Sequence, residues 1–492
     1  MRNQTLIRLN FEKYKDRVYA CWLGKNIGGT MGAPYEGQRR TWDIKGFATE
    51  AGKPMPNDDL DLQLIWLHAV EQMGPHAINA ATLGEFWISL IPPNWNEYGI
   101  GKNNVKRGLI PPVSGDYQNS WKNSNGAWIR TEIWACLAPG CPEIAAKYAV
   151  EDASVDHGAG EGTVAAAFVA AMQASAFVIS DIRRCIELAL SAIPEDSRMA
   201  DSIRFTIDCY DRGIDPITAA KEVQLRNADI GDGWFEAPSN VAYAVIGLLW
   251  GEGDFKKSMI TAINCGDDTD CTGATVGATL GILGGTQAIP EDWKRHVGDD
   301  IITVSINRGD FYTGASVPKT CTELTERVVA QSPFVLFANH CAVELSDKED
   351  MINDSSKDYI RDQCALLHQK IKFVPYTAKF YSPVLYAEVM LDSSPDIAPQ
   401  ESKTITVNVG CNRMLGDELC NLNCRWWLPD SFEVSGKMTA IVTNRNAHDS
   451  GIATFNFVIK AGDVVSVNNR CVLEIMPQGR SIPLYVSILL LG

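Results

Sequence analysis

The chain has 492 residues, 46% apolar and 21% charged, ordinary globular values that leave core for two or three domains and exclude disordered and collagen-like classes. A formal net charge of −16, with no extended Lys or Arg run, disfavours a protein that tracks nucleic-acid backbones, so an anionic ligand needs a local pocket of N–H groups or a placed Arg. Residues 1–10 lack the apolar core of a signal peptide, no stretch reaches about 18 uninterrupted apolar residues, and the 14 cysteines contain no CxxC pair; the expectation is a cytoplasmic protein, with no membrane partner and with reduced, mostly buried thiols.

From Glu12, the residues Tyr14, Val18, Tyr19 and Trp22 recur at helical spacing and predict a helix running into Gly24. Gly24, Gly28 and Gly32 then stand four apart, a spacing that lets a helix approach another backbone closely, until Pro34 ends it. Glu36 lies just past that end, either as a solvated loop carboxylate or as part of a site. Pro54 and Pro56 lead stiffly to Asn57, a good N-cap, and the apolar residues from Leu60 to Val70 fall on most sides of the following helix, which predicts a buried one. Asp58, Asp59 and Asp61 open that helix. One acid complements the helix dipole, at about 0.3–1 kcal/mol; three suggest a cation.

Residues 90–125 are rich in Pro, Gly, Asn and Trp with little periodicity, and predict a long loop region able to cover a site. Asn125, Gly126 and Arg130 offer turn N–H groups and a guanidinium that suit a phosphate; the plainer alternative is an Asn-Gly turn with a surface Arg. His157 precedes an alanine-dense helix over 163–177 and reads as structural or catalytic. Amphipathic helices over 181–225 and an apolar one over 236–250 follow.

The stretch from Asn264 to Cys271 crowds Asp267, Asp268 and Asp270 together, and these repel unless a cation or a set of N–H groups sits between them. Gly273, Gly277, Gly281 and Gly285 come next, again four apart. Each mid-helix Gly costs about 0.8–1 kcal/mol relative to Ala, so another helix has to come very near. If the fold brings the two acidic helix starts together, they make a hard-oxygen metal cage. A helix over 319–331 is the last of the helical part.

Around Pro333 the pattern changes to short strand-like runs at 335–337, 378–391, 403–409, 424–428, 438–443, 453–459, 463–467 and 484–491. Their spacing predicts an antiparallel β-sandwich of roughly 110–160 residues. The expected architecture is an all-helical domain at 1–333 followed by a β-sandwich domain at 334–492.

In order, the stretches from Gly24 to Glu36, Asn57 to Gln63, Asn125 to Arg130, at His157 and from Gly266 to Trp293 resemble the motifs of the ADP-ribosylglycohydrolase family. These are all-helical enzymes that include dinitrogenase-reductase-activating glycohydrolase. The resemblance, over about residues 10–333, implies a hydrolase that cleaves ADP-ribose from an N- or O-linked acceptor, with small-molecule or protein-linked ADP-ribose as substrate. It implies Mg2+, usually as a pair, held by Asn57, Asp58, Asp59, Asp268 and Asp270. It also implies Glu36 near the scissile bond, Asp58 or Asp59 as base toward a metal-activated water, and a cleft lined by Asn125, Gly126, Arg130 and His157. Three positions depart from the family pattern. Asn57 stands for Thr and still offers an amide oxygen; Cys271 stands for Thr and offers a thiol, a poor partner for magnesium; Gly29 replaces a common Asp. Two alternatives stay open: a metal-dependent hydrolase of another ribofuranoside, glycoside or nucleoside, and an inactive relative that binds ADP-ribose.

Overall fold

The site is positioned by helices Phe11–Gly32 (α1), Asp58–Met73 (α2), Asn96–Arg107 (α3), Ala237–Gly251 (α4) and Thr269–Gly284 (α5) in a computed structural model that describes residues 6–231, 234–306, 316–411, 419–443 and 451–492. α1 and α5 run antiparallel along a seam almost free of side chains. A Cβ on Gly24, Gly28 or Gly32 would overlap the backbone of Gly277, Gly273 or Thr269, and one on Gly281 would overlap Ala20. The predicted glycine spacings are therefore two halves of one contact. Because the pairing is antiparallel, the C-terminal end of α1 meets the N-terminal end of α5. α1 runs through the glycine stretch to Gly32, just before Pro34, with Tyr14, Val18, Trp22, Ile27 and Met31 buried.

The chain divides into two compact units, one containing residues up to Lys102 with Asn119–Phe373, the other Asn103–Gln118 with Val374–Gly492. The sequence places this division at 333/334. Residues 335–337 are not a strand: they continue helix Cys321–Ala338, in which Val328, Val329, Ser332, Val335 and Leu336 share a buried face and Pro333 sits inside the helix. A three-residue apolar run fits either period, and the helical one wins here because it extends a stripe already set upstream. The helical unit continues through strand Val343–Ser346 (β2), which pairs in parallel with strand Ile7–Asn10 (β1), and through helix Asp354–Lys370, capped by Asn353.

In the second unit, Thr377–Tyr381 (β3), Leu385–Leu391 (β4), Ser402–Cys411 (β5), Leu419–Trp427 (β6), Glu433–Gly436 (β7), Thr439–Thr443 (β8), Ala453–Lys460 (β9), Asn468–Pro477 (β10) and Leu484–Leu491 (β11) form antiparallel sheets of order β3-β4-β5-β9-β7 and β11-β10-β6-β8. One core cluster draws on both, with Val407 and Phe457 from the first and Leu473 and Val486 from the second. This is the expected sandwich. The period-two alternation is clean in β9, where Ala453, Phe455, Phe457 and Ile459 are buried and the residues between them exposed. The run at 463–467 is not a strand; the strand begins at Asn468, where polar residues mask the alternation. Residues 103–118 belong here because Leu109, Val113 and Tyr117 pack with Ala378, Leu489 and Leu491, and Tyr117 donates its hydroxyl to Asp396 at 2.7 Å. The cysteines are free thiols, buried apart from Cys341, Cys411 and Cys424. No helix among the described residues is long and apolar enough to cross a membrane.

Candidate metal centre and cleft

Three chain ends converge: the turn after α1 brings Glu36, the start of α2 brings Asp58 and Asp59, and the start of α5 brings Asp268 and Asp270. The turn before α5 is built for this. Gly266 and Asp267 both have positive φ, 86° and 63°, and a side chain on Gly266 would strike the carbonyl of Arg40. Asp267 faces away from the other acids. Its carboxylate accepts from Asn240 Nδ2 at 3.1 Å, its N–H donates to Gln38 O and its carbonyl accepts from Gly37 N, both at 2.9 Å, so it pins the loop that carries Glu36. Asn240, in the first turn of α4, also accepts from the Asp268 N–H at 3.2 Å. Asp61 is likewise structural, with one oxygen accepting from the N–H groups of Val304 and Ser305 at 2.7 and 2.5 Å.

The remaining acids form two groups that share Asp270. Glu36, Asp268 and Asp270 offer oxygens within 4.8 Å of one another, and Asp59, Asp270 and Cys271 do the same with two oxygens and a sulfur. Among the described residues, Asp268 Oδ1 and Asp270 Oδ1 are buried without a hydrogen-bond partner. An unpaired buried carboxylate oxygen is costly, and a hard cation is the partner that removes the cost. The electrostatics agree. Desolvation, then Asp58 and Asp59, push the Glu36 carboxyl up to about 7; burial and Glu36 push Asp270 up to about 7; and burial, Asp270 and Glu36 push Asp268 well up. The residues thus fit a divalent ion, most directly at the all-oxygen group.

Asp58 accepts the Tyr98 hydroxyl at 3.0 Å. Asp59 is wholly buried, accepting the Cys271 thiol at 3.2 Å, and its other oxygen lies 3.5 Å from the Lys25 ammonium. Asn57, expected as a metal ligand, is the cap of α2: its oxygen accepts the Asp59 N–H at 2.8 Å. Its amide nitrogen fills the space that a side chain at position 29 would occupy. The bare position 29 and the Asn57 cap are therefore one steric arrangement.

A cleft of about 390 Å³ opens over the acids, lined by Glu36, Asp58 and Asp268 and by Trp95, Tyr98, Asn125 and Phe235. The expected loop at 90–125 does reach the site, but part of it is α3. Gly99, Gly101, Asn103 and Asn104 obscure that helix in the sequence; Gly99 and Gly101 are needed because Cβ atoms there would press on Asn94 and Asp156. The reading consequently misses Trp95, Glu97 and Tyr98. Glu97 is buried at the cleft, its carboxyl pushed up by burial, and Gly126 makes room for it.

Asn125 and Gly126 line the cleft as expected, but Asn125 also braces the centre, donating to Asp268 Oδ2 at 2.6 Å and accepting from Trp128 Nε1 at 2.9 Å. Arg130 and His157 do not line it. The Arg130 guanidinium is wholly buried, donating to Asp152 at 2.9 Å, to both oxygens of Asp156 at 3.1 and 2.8 Å, and to the Gly126 carbonyl. This leaves it no face for a phosphate, and corrects the sequence reading. His157 is pinned between Asp156 at 2.9 Å and Ser124 Oγ at 3.2 Å. Burial alone would raise Asp156, but Arg130 and His157 outweigh it and hold that carboxyl at about 2. The pair shapes the turn at 124–130 from behind.

The family model described as ADP-ribosylglycohydrolase matches residues 10–327. An uncharacterised protein of Archaeoglobus fulgidus is 24% identical over 309 residues, 58% of this chain and 92% of that protein. Among solved structures, a chain of an ADP-ribosylglycohydrolase-related protein complex is 20% identical with TM-score 0.42, covering 66% of this chain and 99% of the other. A FixG-related protein from Vibrio parahaemolyticus matches 23% of this chain and 98% of its own at 12% identity and TM-score 0.19.

Proposed function

We propose, for a chain that belongs to the ADP-ribosylglycohydrolase family, a Mg2+-dependent hydrolysis of the glycosidic bond between ADP-ribose and an N- or O-linked acceptor. The observation that carries this reading is the set of buried, unpaired carboxylate oxygens on Asp268 and Asp270, beside Glu36 and beneath an open cleft. Glu36, Asp268 and Asp270 would hold the ion, with Asp58 and Asp59 adjoining. When bound, magnesium orients ribose hydroxyls and makes a coordinated water more acidic.

The chain's own groups do the rest. Asn125 fixes the orientation of Asp268. Asp58, whose carboxyl burial pushes up against the opposing pull of the Tyr98 hydroxyl, takes the proton from water attacking the anomeric carbon, where oxocarbenium character develops. Glu36, as a ligand, would be ionised, so the departing acceptor takes its proton from Asp58 once Asp58 has received it from the water. Trp95 and Phe235 offer flat apolar faces to a purine. With Arg130 committed elsewhere, the turn N–H groups at Asn125 and Gly126 remain for the diphosphate.

The test is to offer ADP-ribosyl-arginine, ADP-ribosyl-serine peptides and simple nucleosides side by side, with magnesium and with chelator. Turnover of an ADP-ribosyl substrate only with magnesium is expected, and Asp268→Ala should lower kcat/KM by about 10²-fold or more. Full activity in that variant removes the acid cage from the mechanism. Turnover of nucleosides alone reassigns the substrate.

A further inference from the structure

We propose that the centre holds a single divalent cation, at Glu36, Asp268 and Asp270, and that the buried ammonium of Lys25 takes the place of a second ion beside Asp59. This rests on the reading of the acid group as a metal site and refines its composition.

The argument comes from where the unusual residues lie. Lys25 is on α1, next to Gly24 of the seam, and is wholly buried. Its nitrogen sits 3.5 Å from Asp59 Oδ2 and 3.1 Å from Glu132 Oε2. Glu132 is itself fixed, accepting from Gln63 at 2.9 Å and Gln173 at 3.0 Å, and Gln63 also donates to the Asp59 carbonyl at 2.8 Å. The ammonium is therefore a built-in positive charge with no route to solvent.

Asp59 Oδ1 accepts the Cys271 thiol, and Asp59 Oδ2, which has no hydrogen-bond partner among the described residues, faces the Lys25 ammonium at 3.5 Å. The hard ligands beside Asp59 are Asp270, already shared with the first group, and Asp58, which accepts the Tyr98 hydroxyl. The Asn57 oxygen caps α2, position 29 has no side chain, and Cys271 offers sulfur, which suits softer ions than magnesium. A second divalent ion would share a carboxylate with an ammonium it repels, in a buried setting where that repulsion is weakly screened. At Glu36, Asp268 and Asp270 no cation among the described residues makes an ion pair, whereas Asp59 has the Lys25 ammonium at 3.5 Å. The thiol and the ammonium both lie beside Asp59, and the group of Glu36, Asp268 and Asp270 offers oxygens alone.

The probe is Mn2+ titrated into the full chain, with free ion followed by electron paramagnetic resonance. One Mn2+ per chain is expected. Two in the unsubstituted protein overturn the inference while leaving the metal reading intact; none overturns the metal reading itself. Asp59→Asn should still bind one ion and Asp268→Asn should bind none, and loss of binding in Asp59→Asn with a native circular-dichroism spectrum overturns the inference. Lys25→Met, which keeps the length and removes the charge, should admit a second, weaker Mn2+. A folded Lys25→Met protein that still takes only one removes Lys25 from the explanation.

Discussion

The helical unit completely buries Lys25, Arg130, Glu132, Asp152 and His157, whereas among the described residues of 374–492 the only buried charged or amide side chains are Lys403 and Asn469. The sandwich is held by alternating apolar residues. Its buried Lys403 reaches Ser393 and Ser394 at 2.7 and 2.9 Å, without a carboxylate partner among the described residues. In the helical unit the charges lie behind the centre, each fixed by another. Buried ion pairs are weak sources of stability, so their concentration there reflects a requirement to hold acids in place rather than to stabilise the fold.

Removing one member of such a network should be the most damaging change. Arg130→Met leaves Asp152 and Asp156 facing each other with only Trp134 and His157 as partners among the described residues, and is expected to lower stability by about 3–5 kcal/mol in urea unfolding. A loss under about 1 kcal/mol would erase the contrast between the units. Ile405→Ala, in the apolar core of the sandwich, should lower stability by about 2–5 kcal/mol through cavity formation, equally at pH 5 and pH 8 because the loss is of apolar packing. Gly28→Ala, whose new methyl would overlap Gly273, should lower stability by about 1–3 kcal/mol by forcing α1 and α5 apart, and should weaken Mn2+ binding at their ends.

The remaining effect expected is on pH dependence. Glu36 and Asp270 have carboxyls at about 7 in the folded chain, against about 4 when unfolded. Between those values the ion-free folded chain holds more protons than the unfolded one, so its stability falls as pH rises through that window and levels off above it. Saturating magnesium favours the ionised forms and should flatten the slope. Melting temperatures at pH 5, 6, 7 and 8, in chelator and in magnesium, check this; an ion-free melting temperature that rises across the series contradicts it.

Much of the arrangement was legible in the sequence because it rests on short-range regularities. Glycines at 24, 28 and 32 and at 273, 277 and 281 announced a close helix contact, and the acids at 58, 59, 268 and 270 announced a shared site. The alternation in β9 announced a half-buried strand. What stayed hidden depends on long-range packing. Arg130 looked available to a ligand because its partners, Asp152 and Asp156, lie on a later helix; their own four-residue spacing was the signal that one side chain held both. Lys25 lay within an apolar glycine run, and nothing local tied it to Asp59 or Glu132. α3 was obscured by glycines whose purpose is to fit against Asn94 and Asp156. The unit boundary was displaced because residues 335–337 satisfy both periods.

A contact between two helices made of bare backbone admits only one separation. Ordinary helix pairs can shift by exchanging a larger residue for a smaller one, but α1 and α5 have nothing left to trim. The distance between Glu36 and the start of α5 is consequently insulated from drift in the surrounding core, and variation in what this centre accepts has to come from the residues at the helix tips themselves.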